Sequence, residues 1–279
     1  MLPTPSTSHV SFDTIYEPAE DSFLFLDTLS SPSESSWLSE RFKRSFHPST
    51  PSERGQGAPP LVVEVGTGSG VVLAFVAANS KEIFGRYDIL TLGTDVNGNA
   101  CSATRQTVLH AVSEKRAEEA PSKSPIPSQN VTEGHFLSSL TADLCAPLRP
   151  GSVDVLIFNP PYVPTPDLPR LPSSDFQSSE PASRSAKFEN DSYLLSLTYA
   201  GGVDGMETTN RLLDAIPDVL DAARGVAYVL LCAQNKPEEV KERIRAWGNG
   251  WAAETVGRSG MQAGWEKLVI VRIWRDNAP

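Results

Sequence analysis

Short apolar runs alternate with longer mixed segments through the middle of the chain. Five runs have the length and composition of strands: LVVEV (61–65), DILTLGTD (88–95), VTEGHF (131–136), VDVLIF (153–158) and GVAYVLL (225–231). Three intervening segments favour helices: VVLAFVAA (71–78), a segment capped by Asn97 through about Ser113, and METTNRLLDAIPDVLDAA (206–223). Strands that alternate with helices predict a mostly parallel α/β sheet with right-handed crossovers and helices on both faces.

The C-terminal part follows a different pattern. A charged amphipathic helix is predicted over KPEEVKERIRAW (236–247), followed by the strands WAAETVGRS (251–259) and EKLVIVRIW (266–274). A short loop containing glycine joins these two strands, so they are expected to pair antiparallel. The complete prediction is a seven-stranded sheet that ends in an antiparallel hairpin.

Three segments rich in Ser, Pro and charge interrupt this pattern, at 30–60, 116–130 and 165–190. Their composition predicts flexible insertions, because they cannot bury enough apolar surface to offset the loss of chain entropy. Part of the first, WLSERFKRSF (37–46), has helical spacing. The expected organisation is a single domain over residues 1–279 with these three insertions.

Charge narrows the classes of partner. The chain has 34 acidic and 24 basic residues and a net charge of −10, so nucleic acid is a disfavoured partner. Three separated cysteines and four scattered histidines lack ligand spacing, and no metal site is predicted. The N-terminal residues lack a secretory signal pattern, and no apolar run reaches membrane-spanning length. We expect no membrane partner and a reducing cytoplasmic location, with the nucleus as a further location.

A glycine-rich turn follows the first strand, in EVGTGSG (64–70). Gly66, Gly68 and Gly70 allow close approach of a ligand to the backbone, and the next helix offers free N–H groups at its N-terminus. The spacing departs from the dinucleotide fingerprint GxGxxG, because the third glycine comes two residues after the second. A purely structural turn remains an alternative.

Acidic side chains follow the second and third strands. Asp95 ends the second strand, where a carboxylate can accept hydrogen bonds from both ribose hydroxyls of a nucleoside. Asp143 can accept a hydrogen bond from an adenine amino group while Leu144 packs against the ring. The alternatives are a turn or capping aspartate at position 95 and an exposed loop aspartate at position 143.

The fourth strand ends in Asn159, Pro160, Pro161 and Tyr162. Asn-Pro can simply start a turn. Strand four is expected beside strand one, however, which places Asn159 next to the glycine turn at the point where open sheets bind ligands. The Asn159 side-chain oxygen and the Pro160 carbonyl can accept both N–H bonds of one planar NH₂ group, and the Tyr162 ring offers a flat wall beside it.

Together these motifs resemble the class I methyltransferases that use S-adenosylmethionine, in which (D/N)PP(Y/F) marks methylation of a planar nitrogen. The stretches YEPAEDSFLFLDTL (16–29), AGGVDGMETTNRLL (200–213), EVGTGSGVV and NPPYV narrow the resemblance to the eukaryotic branch of the HemK-type glutamine methyltransferases. The resemblance spans about residues 16–274. It implies a Rossmann-like class I fold with S-adenosylmethionine as the cofactor.

The resemblance also implies roles for residues. A lid segment at 10–30 should cover the cofactor, with Glu20 and Ser22 nearest the site, and Phe23, Leu26 and Leu29 form a stripe that is also compatible with plain core packing. The implied cofactor-binding residues are Tyr16, Glu20, Glu64, Gly66, Thr67, Gly68, Gly70, Asp95, Val96, Asp143, Leu144 and Asn159. The implied substrate-binding residues are Ser22, Asn159 and Tyr162, and the implied catalytic motif is Asn159, Pro160, Pro161 and Tyr162. Gly201, Gly202 and Gly205 are expected to shape a turn rather than to touch a ligand.

The implied reaction is methylation of the side-chain amide nitrogen of glutamine in the Gly-Gly-Gln motif of the eukaryotic translation termination release factor. The implied partners are that release factor, also in complex with its GTPase, and a small zinc-binding activator subunit that forms a heterodimer with the chain. Alternatives are an adenine N6 methyltransferase acting on nucleic acid, a histone lysine methyltransferase, and a nicotinamide-dependent oxidoreductase or non-catalytic nucleotide-binding scaffold.

Overall fold

The computed structural model describes residues 2–43, 57–119, 134–170, 184–260 and 267–276. Its strands are β1 (Leu61–Val65), β2 (Leu90–Asp95), β3 (His135–Thr141), β4 (Val155–Phe158), β5 (Val226–Cys232), β6 (Trp251–Arg258) and β7 (Leu268–Arg275). Its α-helices are α1 (Glu20–Leu29), α2 (Pro32–Arg41), α3 (Val71–Ala78), α4 (Ser80–Phe84), α5 (Gly98–Glu119), α6 (Arg184–Tyr199), α7 (Glu207–Val219) and α8 (Pro237–Arg245). Short 3₁₀ turns cover Val203–Gly205 and Ala233–Asn235.

The strands form one sheet in the order β3-β2-β1-β4-β5-β7-β6. Strands β1 to β5 run parallel to one another, and β7 is antiparallel to both β5 and β6. This confirms the predicted seven-stranded, mostly parallel sheet with a C-terminal hairpin and with β4 beside β1. The order reverses between β1 and β4, so the carboxyl ends of these strands open a crevice.

The apolar strands have two buried faces. On β5, Val226, Tyr228 and Leu230 join the core cluster under α1 to α3, whereas Ala227 and Val229 join the cluster under α7 and α8. Successive side chains of a strand point to opposite faces, so a continuous apolar run serves both helical layers. The buried position of β5 therefore follows from its sequence.

The third strand differs from its prediction. Residues 131–133 of the predicted strand lie outside the described residues, and β3 extends instead from His135 to Thr141. The segment that was missed contains the polar residues Ser138 and Ser139. Since β3 pairs only with β2 within the described sheet, one long side of the strand is open to polar surroundings.

Helices occupy parts of the predicted insertions. Helix α2 begins with Ser31 as its cap, whose side chain accepts from the Glu34 N–H, and it ends five residues before the predicted limit of 46. Helix α5 continues to Glu119, and α6 falls partly within 165–190 and was not predicted. Residues 44–56, 120–133 and 171–183 lie outside the described residues, and the single-domain organisation with flexible insertions stays a prediction.

Candidate active site

A cleft lies over the carboxyl ends of β1, β2 and β4. Its volume is about 1250 Å³ when the open space at its mouth is included. The predicted residues that line it are Tyr16, Ser22, Glu64, Gly66, Thr67, Gly68, Asp95, Val96, Asp143, Leu144, Asn159, Pro160 and Pro161. The structure therefore brings most of the predicted site residues together.

The glycine turn is held between β1 and β2. The Gly66 N–H donates to the Thr94 carbonyl at 2.7 Å, and the Gly68 N–H donates to Asp95 Oδ2 at 2.9 Å. Both glycines have positive φ angles, which side chains disfavour. The turn thus presents its backbone to the cleft in a conformation fixed by the neighbouring strand.

Gly70 differs from the other two glycines in its position, and its role in binding the cofactor stays a prediction. It is the N-cap of α3, and it is absent from the described residues that line the cleft. A Cβ atom at this position would lie 2.5 Å from the Thr104 Cα, so Gly70 allows α3 to pack closely on α5. Its role in the structure is helix packing.

Glu64 and Asp95 are carboxylates at the bottom of the cleft. Glu64 is 3% exposed, and its Oε2 accepts a 2.9 Å hydrogen bond from the Leu73 N–H in the first turn of α3. Asp95 accepts from the N–H groups of Gly68 and Asn97. Burial raises the pKa of the Glu64 carboxyl well above its ordinary value, and it also raises the pKa of Asp95.

Asp143 and Leu144 follow β3, and both line the cleft. Asp143 forms an ion pair with Arg211 of α7, and Arg211 also lines the cleft. The Thr94 hydroxyl donates to the Leu144 carbonyl at 3.0 Å, which fixes the loop to β2. The loop aspartate is therefore neither isolated nor fully exposed, and its carboxylate keeps further lone pairs for a ligand donor.

The N-terminal segment closes one side of the cleft. Asn97 Nδ2 donates to the Thr14 carbonyl at 2.8 Å and ties this segment to the start of α5. Ile15, Tyr16, Asp21 and Ser22 line the cleft. The Glu20 side chain is exposed, whereas its neighbours Asp21 and Ser22 line the cleft, and the role of Glu20 in binding the cofactor stays a prediction.

Asn159 follows the last residue of β4 and has an unusual hydrogen-bonding pattern. Its Nδ2 donates to Asp21 Oδ2 at 3.1 Å. Its Oδ1 is buried yet has no hydrogen-bond partner among the described residues. Buried polar atoms are nearly always paired, so an acceptor left open in a residue that lines a cleft indicates a ligand donor.

Tyr162 follows the two prolines, and its substrate-binding and catalytic role stays a prediction. It is absent from the described cleft lining, its ring packs partly against the core cluster under α1 to α3, and its carbonyl accepts from Asn235 Nδ2. Gly205 lies against this carbonyl so closely that an added Cβ would overlap the Tyr162 oxygen. Gly201 approaches the Pro161 carbonyl in the same way, so these glycines support the backbone of the motif rather than only shaping a turn.

No family model matches the chain. The eRF1 methyltransferase catalytic subunit mtq2 of Schizosaccharomyces pombe is 29% identical over 279 residues, with 99% of this chain and 96% of the relative covered. Methyltransferase HEMK2 of Homo sapiens is 28% identical, with coverages of 98% and 97%. These similarities agree with the expected resemblance to the HemK-type methyltransferases. Among solved structures, precorrin-6y C5,15-methyltransferase from Geobacter metallireducens aligns over 98% of this chain and 100% of its own at 8% identity, with a TM-score of 0.41.

The cleft carries an uneven distribution of charge. Four acidic residues line it, Asp21, Glu64, Asp95 and Asp143, against the single described cation Arg211. Such a cleft favours a ligand that carries positive charge and disfavours a diphosphate. This argues against the nicotinamide-dependent alternative.

Several lining residues of the cleft were missed by sequence reasoning. Leu194 and Leu197 come from α6, and Leu168 and Pro169 come from the segment before residue 171. The i, i+3 spacing of the two leucines is a helical signal, but it lies beside a polar segment that predicts an insertion. Asp21 stood within the YEPAEDS stretch, yet its neighbours alone were assigned to the site.

Proposed function

We propose that the chain transfers a methyl group from S-adenosylmethionine to the side-chain amide nitrogen of glutamine in the Gly-Gly-Gln motif of the eukaryotic termination release factor. The observation that carries this proposal is the buried, unpartnered Oδ1 of Asn159 at the edge of the cleft. An acceptor of this kind suits the N–H bond of a primary amide. Similarity to methyltransferases from Schizosaccharomyces pombe and Homo sapiens supports the reaction class.

The residues of the cleft fit the cofactor. S-adenosylmethionine supplies an electrophilic methyl group on a positively charged sulfonium, and it also carries an ammonium group. Asp95 keeps free lone pairs for the ribose hydroxyls, while Asp143 and Leu144 suit the adenine. Glu64 and Gly66 would hold the methionine part. The acidic lining supports a cationic ligand of this kind.

Catalysis in this site rests on positioning. An amide nitrogen is a poor nucleophile because its lone pair is delocalised, so the site must hold it in line with the methyl group. Asn159 Oδ1 and the Pro160 carbonyl accept the two N–H bonds and favour the positive charge that develops on the nitrogen. Proline has no N–H that could compete at this position. The released proton leaves to water, and no dedicated general base is required.

The test is mass spectrometry of a release-factor domain after incubation with the chain, its activator subunit and the methyl donor. We expect one added methyl group on the glutamine and none on a Gln→Glu domain. Asn159→Ala should reduce the rate at least about 100-fold, in line with the removal of one transition-state contact. Asn99→Ala, an exposed amide outside the described lining, is the matched control. Methylation of adenine or of histone lysine in parallel incubations, without methylation of glutamine, would show that an alternative reaction is correct.

The proposal includes a zinc-binding activator subunit that pairs with the open edge of β3. This strand pairs only with β2 within the described sheet, and an unpaired edge can accept a strand from another protein. Leu137 on β3 and Leu109 on α5 are about half exposed and offer apolar contacts beside that edge. Within the described chain, no group of three metal-ligating side chains occurs.

Co-purification tests the heterodimer. Leu137→Asp should abolish capture of the activator and lower the soluble yield, because a charge would be buried in the interface. Phe188→Asp changes an equally apolar exposed side chain on α6 and should leave capture intact. If the Leu137 variant still formed a stoichiometric complex, the partner would have to bind elsewhere.

The proposal places the protein in the cytoplasm, where the release factor acts either alone or in complex with its GTPase, with a nuclear pool as an alternative. In the described residues, none of the helices combines the length and the apolar character that a membrane crossing needs. All three cysteines are free thiols. Imaging of the tagged chain at its native level tests the location.

A further inference from the structure

The orientation of the Asn159 amide is set from outside its own motif. Asn159 follows β4, whereas its hydrogen-bond acceptor Asp21 belongs to the first turn of α1, 138 residues away in the sequence. The Nδ2 to Oδ2 distance is 3.1 Å, and Asp21 is only 3% exposed. Both side chains line the cleft. The contact is therefore a buried link between the N-terminal segment and the motif after β4.

Asp21 acts as an acceptor through both carboxylate oxygens. Oδ1 accepts from the Ser22 N–H at 2.6 Å and from the Ser22 hydroxyl at 3.2 Å, which leaves Oδ2 for Asn159. If the Asn159 amide were rotated by half a turn, its Oδ1 would face Asp21 Oδ2, and two acceptors would be in contact. Only one orientation of the amide is compatible with this carboxylate.

We propose that Asp21 is a positioning residue for methyl transfer: it fixes the Asn159 amide so that the oxygen, and not the NH₂ group, faces the acceptor nitrogen. This inference rests on the proposed function, because it assigns a role in presenting the substrate amide. If the Asn159 side-chain amide were inverted, its NH₂ group would face the NH₂ group of the substrate. Two donors cannot form a hydrogen bond, so the unoriented site would lose its main contact.

The pair also gives a physical reason for the asparagine at position 159. An aspartate there would have acceptors on both sides and would need no orientation, but it would place a second carboxylate against Asp21. The asparagine avoids that repulsion and depends on Asp21 for its direction. Residues 21 and 159 are in this sense a matched donor and acceptor.

A reciprocal exchange tests the inference. In Asp21→Asn the new NH₂ group disturbs the contact with Asn159, and in Asn159→Asp two carboxylates meet. Each single variant should lose at least about 100-fold in kcat, with KM for the release-factor domain and the Kd for the cofactor changed by less than about fivefold. In the double variant, the amide introduced at position 21 can donate to one oxygen of the carboxylate introduced at position 159, while the other oxygen faces the substrate. We expect it to recover to within about tenfold of the wild type.

The matched control is Asp27→Asn, which makes the same change of charge on an exposed position of α1 and should leave kcat unaltered. Thermal unfolding of all variants identifies loss of folding. A double variant that is as inactive as the stronger single variant, with unchanged unfolding temperature, would overturn the inference. A purely structural contact would be restored by the same exchange, so the single variants support the inference only if kcat falls while their unfolding temperatures match that of the wild type.

A measurement without substrate separates this inference from the proposed function. The side-chain amide protons of Asn159 can be assigned by nuclear magnetic resonance from the signal that disappears in Asn159→Asp. In the wild type, one of the two protons should show the shift of a hydrogen bond, and Asp21→Asn should remove that shift. This signal tests the orientation of the amide even if the wild type fails to methylate the release factor. A shift that depends on Asp21 supports the orientation, and a shift that does not depend on Asp21 overturns it.

Discussion

The Asp95 carboxylate accepts a hydrogen bond from the Gly68 N–H at 2.9 Å, so the end of β2 holds the glycine turn that follows β1. The other oxygen of Asp95 accepts from the Asn97 N–H at the start of α5. One side chain thus joins three segments around the cleft before any ligand binds. The same two hydrogen bonds also make Asp95 a turn residue, which was the alternative role. Asp95 therefore both organises the loop and lines the cleft.

Cofactor binding should strengthen as pH rises. Burial raises the pKa of Glu64 and of Asp95 in the free protein, and a bound cation favours their ionised forms and lowers both pKa values. Binding therefore releases protons, and affinity is lost when pH falls below the raised pKa values. Titration calorimetry with S-adenosylmethionine in two buffers of different ionisation enthalpy measures the released protons directly.

The matched variant for this pH dependence is Asp95→Asn. It removes one of the titrating carboxylates and should flatten the dependence on pH as well as weaken the binding. The stability of the free protein should depend on pH in the opposite sense to the affinity for the cofactor. Because the folded-state pKa values lie above those of the unfolded chain, stability falls as pH rises through them. Proton uptake on binding would contradict the assignment.

The fold could be predicted from sequence because its signals are local. The buried strands β1, β4 and β5 are short apolar runs bounded by turn residues, and their alternation with helices specifies a parallel sheet. Helix α6 and strand β3 were harder to predict from the sequence. Their polar residues reflect positions beside a cleft or at an edge, where burial no longer determines composition.

The site was predictable to the extent that its residues end strands. Asp95 and Asn159 occupy positions that the order of strands brings together, so their proximity followed from topology. Gly70 was assigned to the ligand because a sequence does not show what faces a glycine, and here the neighbour is Thr104 of α5. The role of Asp21 depends on a contact between distant segments, which no local pattern reveals.

Gly205→Ala should lower both stability and kcat. The residue has a φ of +68°, and an added Cβ would overlap the carbonyl oxygen of Tyr162, so the backbone of the motif after β4 must move. We expect a loss of several kcal/mol in the free energy of unfolding, beyond the roughly 1 kcal/mol of a left-handed alanine. Gly151→Ala is the control, because its φ is +66° and no atom lies within 4 Å of the added carbon.

Urea unfolding of the two glycine variants, with kcat measured on the release-factor domain, checks this prediction. Gly151→Ala should show only the cost of backbone strain and an unaltered kcat. Equal losses of stability in the two variants would mean that strain alone explains Gly205, and that its contact with Tyr162 contributes nothing.

Glu34→Ala should destabilise the fold far from the cleft. Glu34 is 3% exposed, its carboxylate accepts from Arg272 Nη1 at 2.8 Å, and the buried Tyr228 hydroxyl donates to it at 2.9 Å. The variant removes the buried partner of the Arg272 guanidinium and leaves it Glu254, at 3.1 Å and 60% exposed, as an ion-pair partner. Removal of one partner from a buried ion pair costs about 3–5 kcal/mol in the free energy of unfolding.

The control for this ion pair is Glu40→Ala. Glu40 pairs with Lys43 at 3.4 Å, but both side chains are more than two-thirds exposed, and such pairs contribute at most about 1 kcal/mol. Chemical unfolding should therefore separate the two alanine variants by several kcal/mol. The cofactor Kd of the folded Glu34 variant should match that of the wild type, since Glu34 is absent from the described cleft lining. Similar unfolding free energies for the two variants would show that Glu254 or water compensates Arg272 for the loss of Glu34.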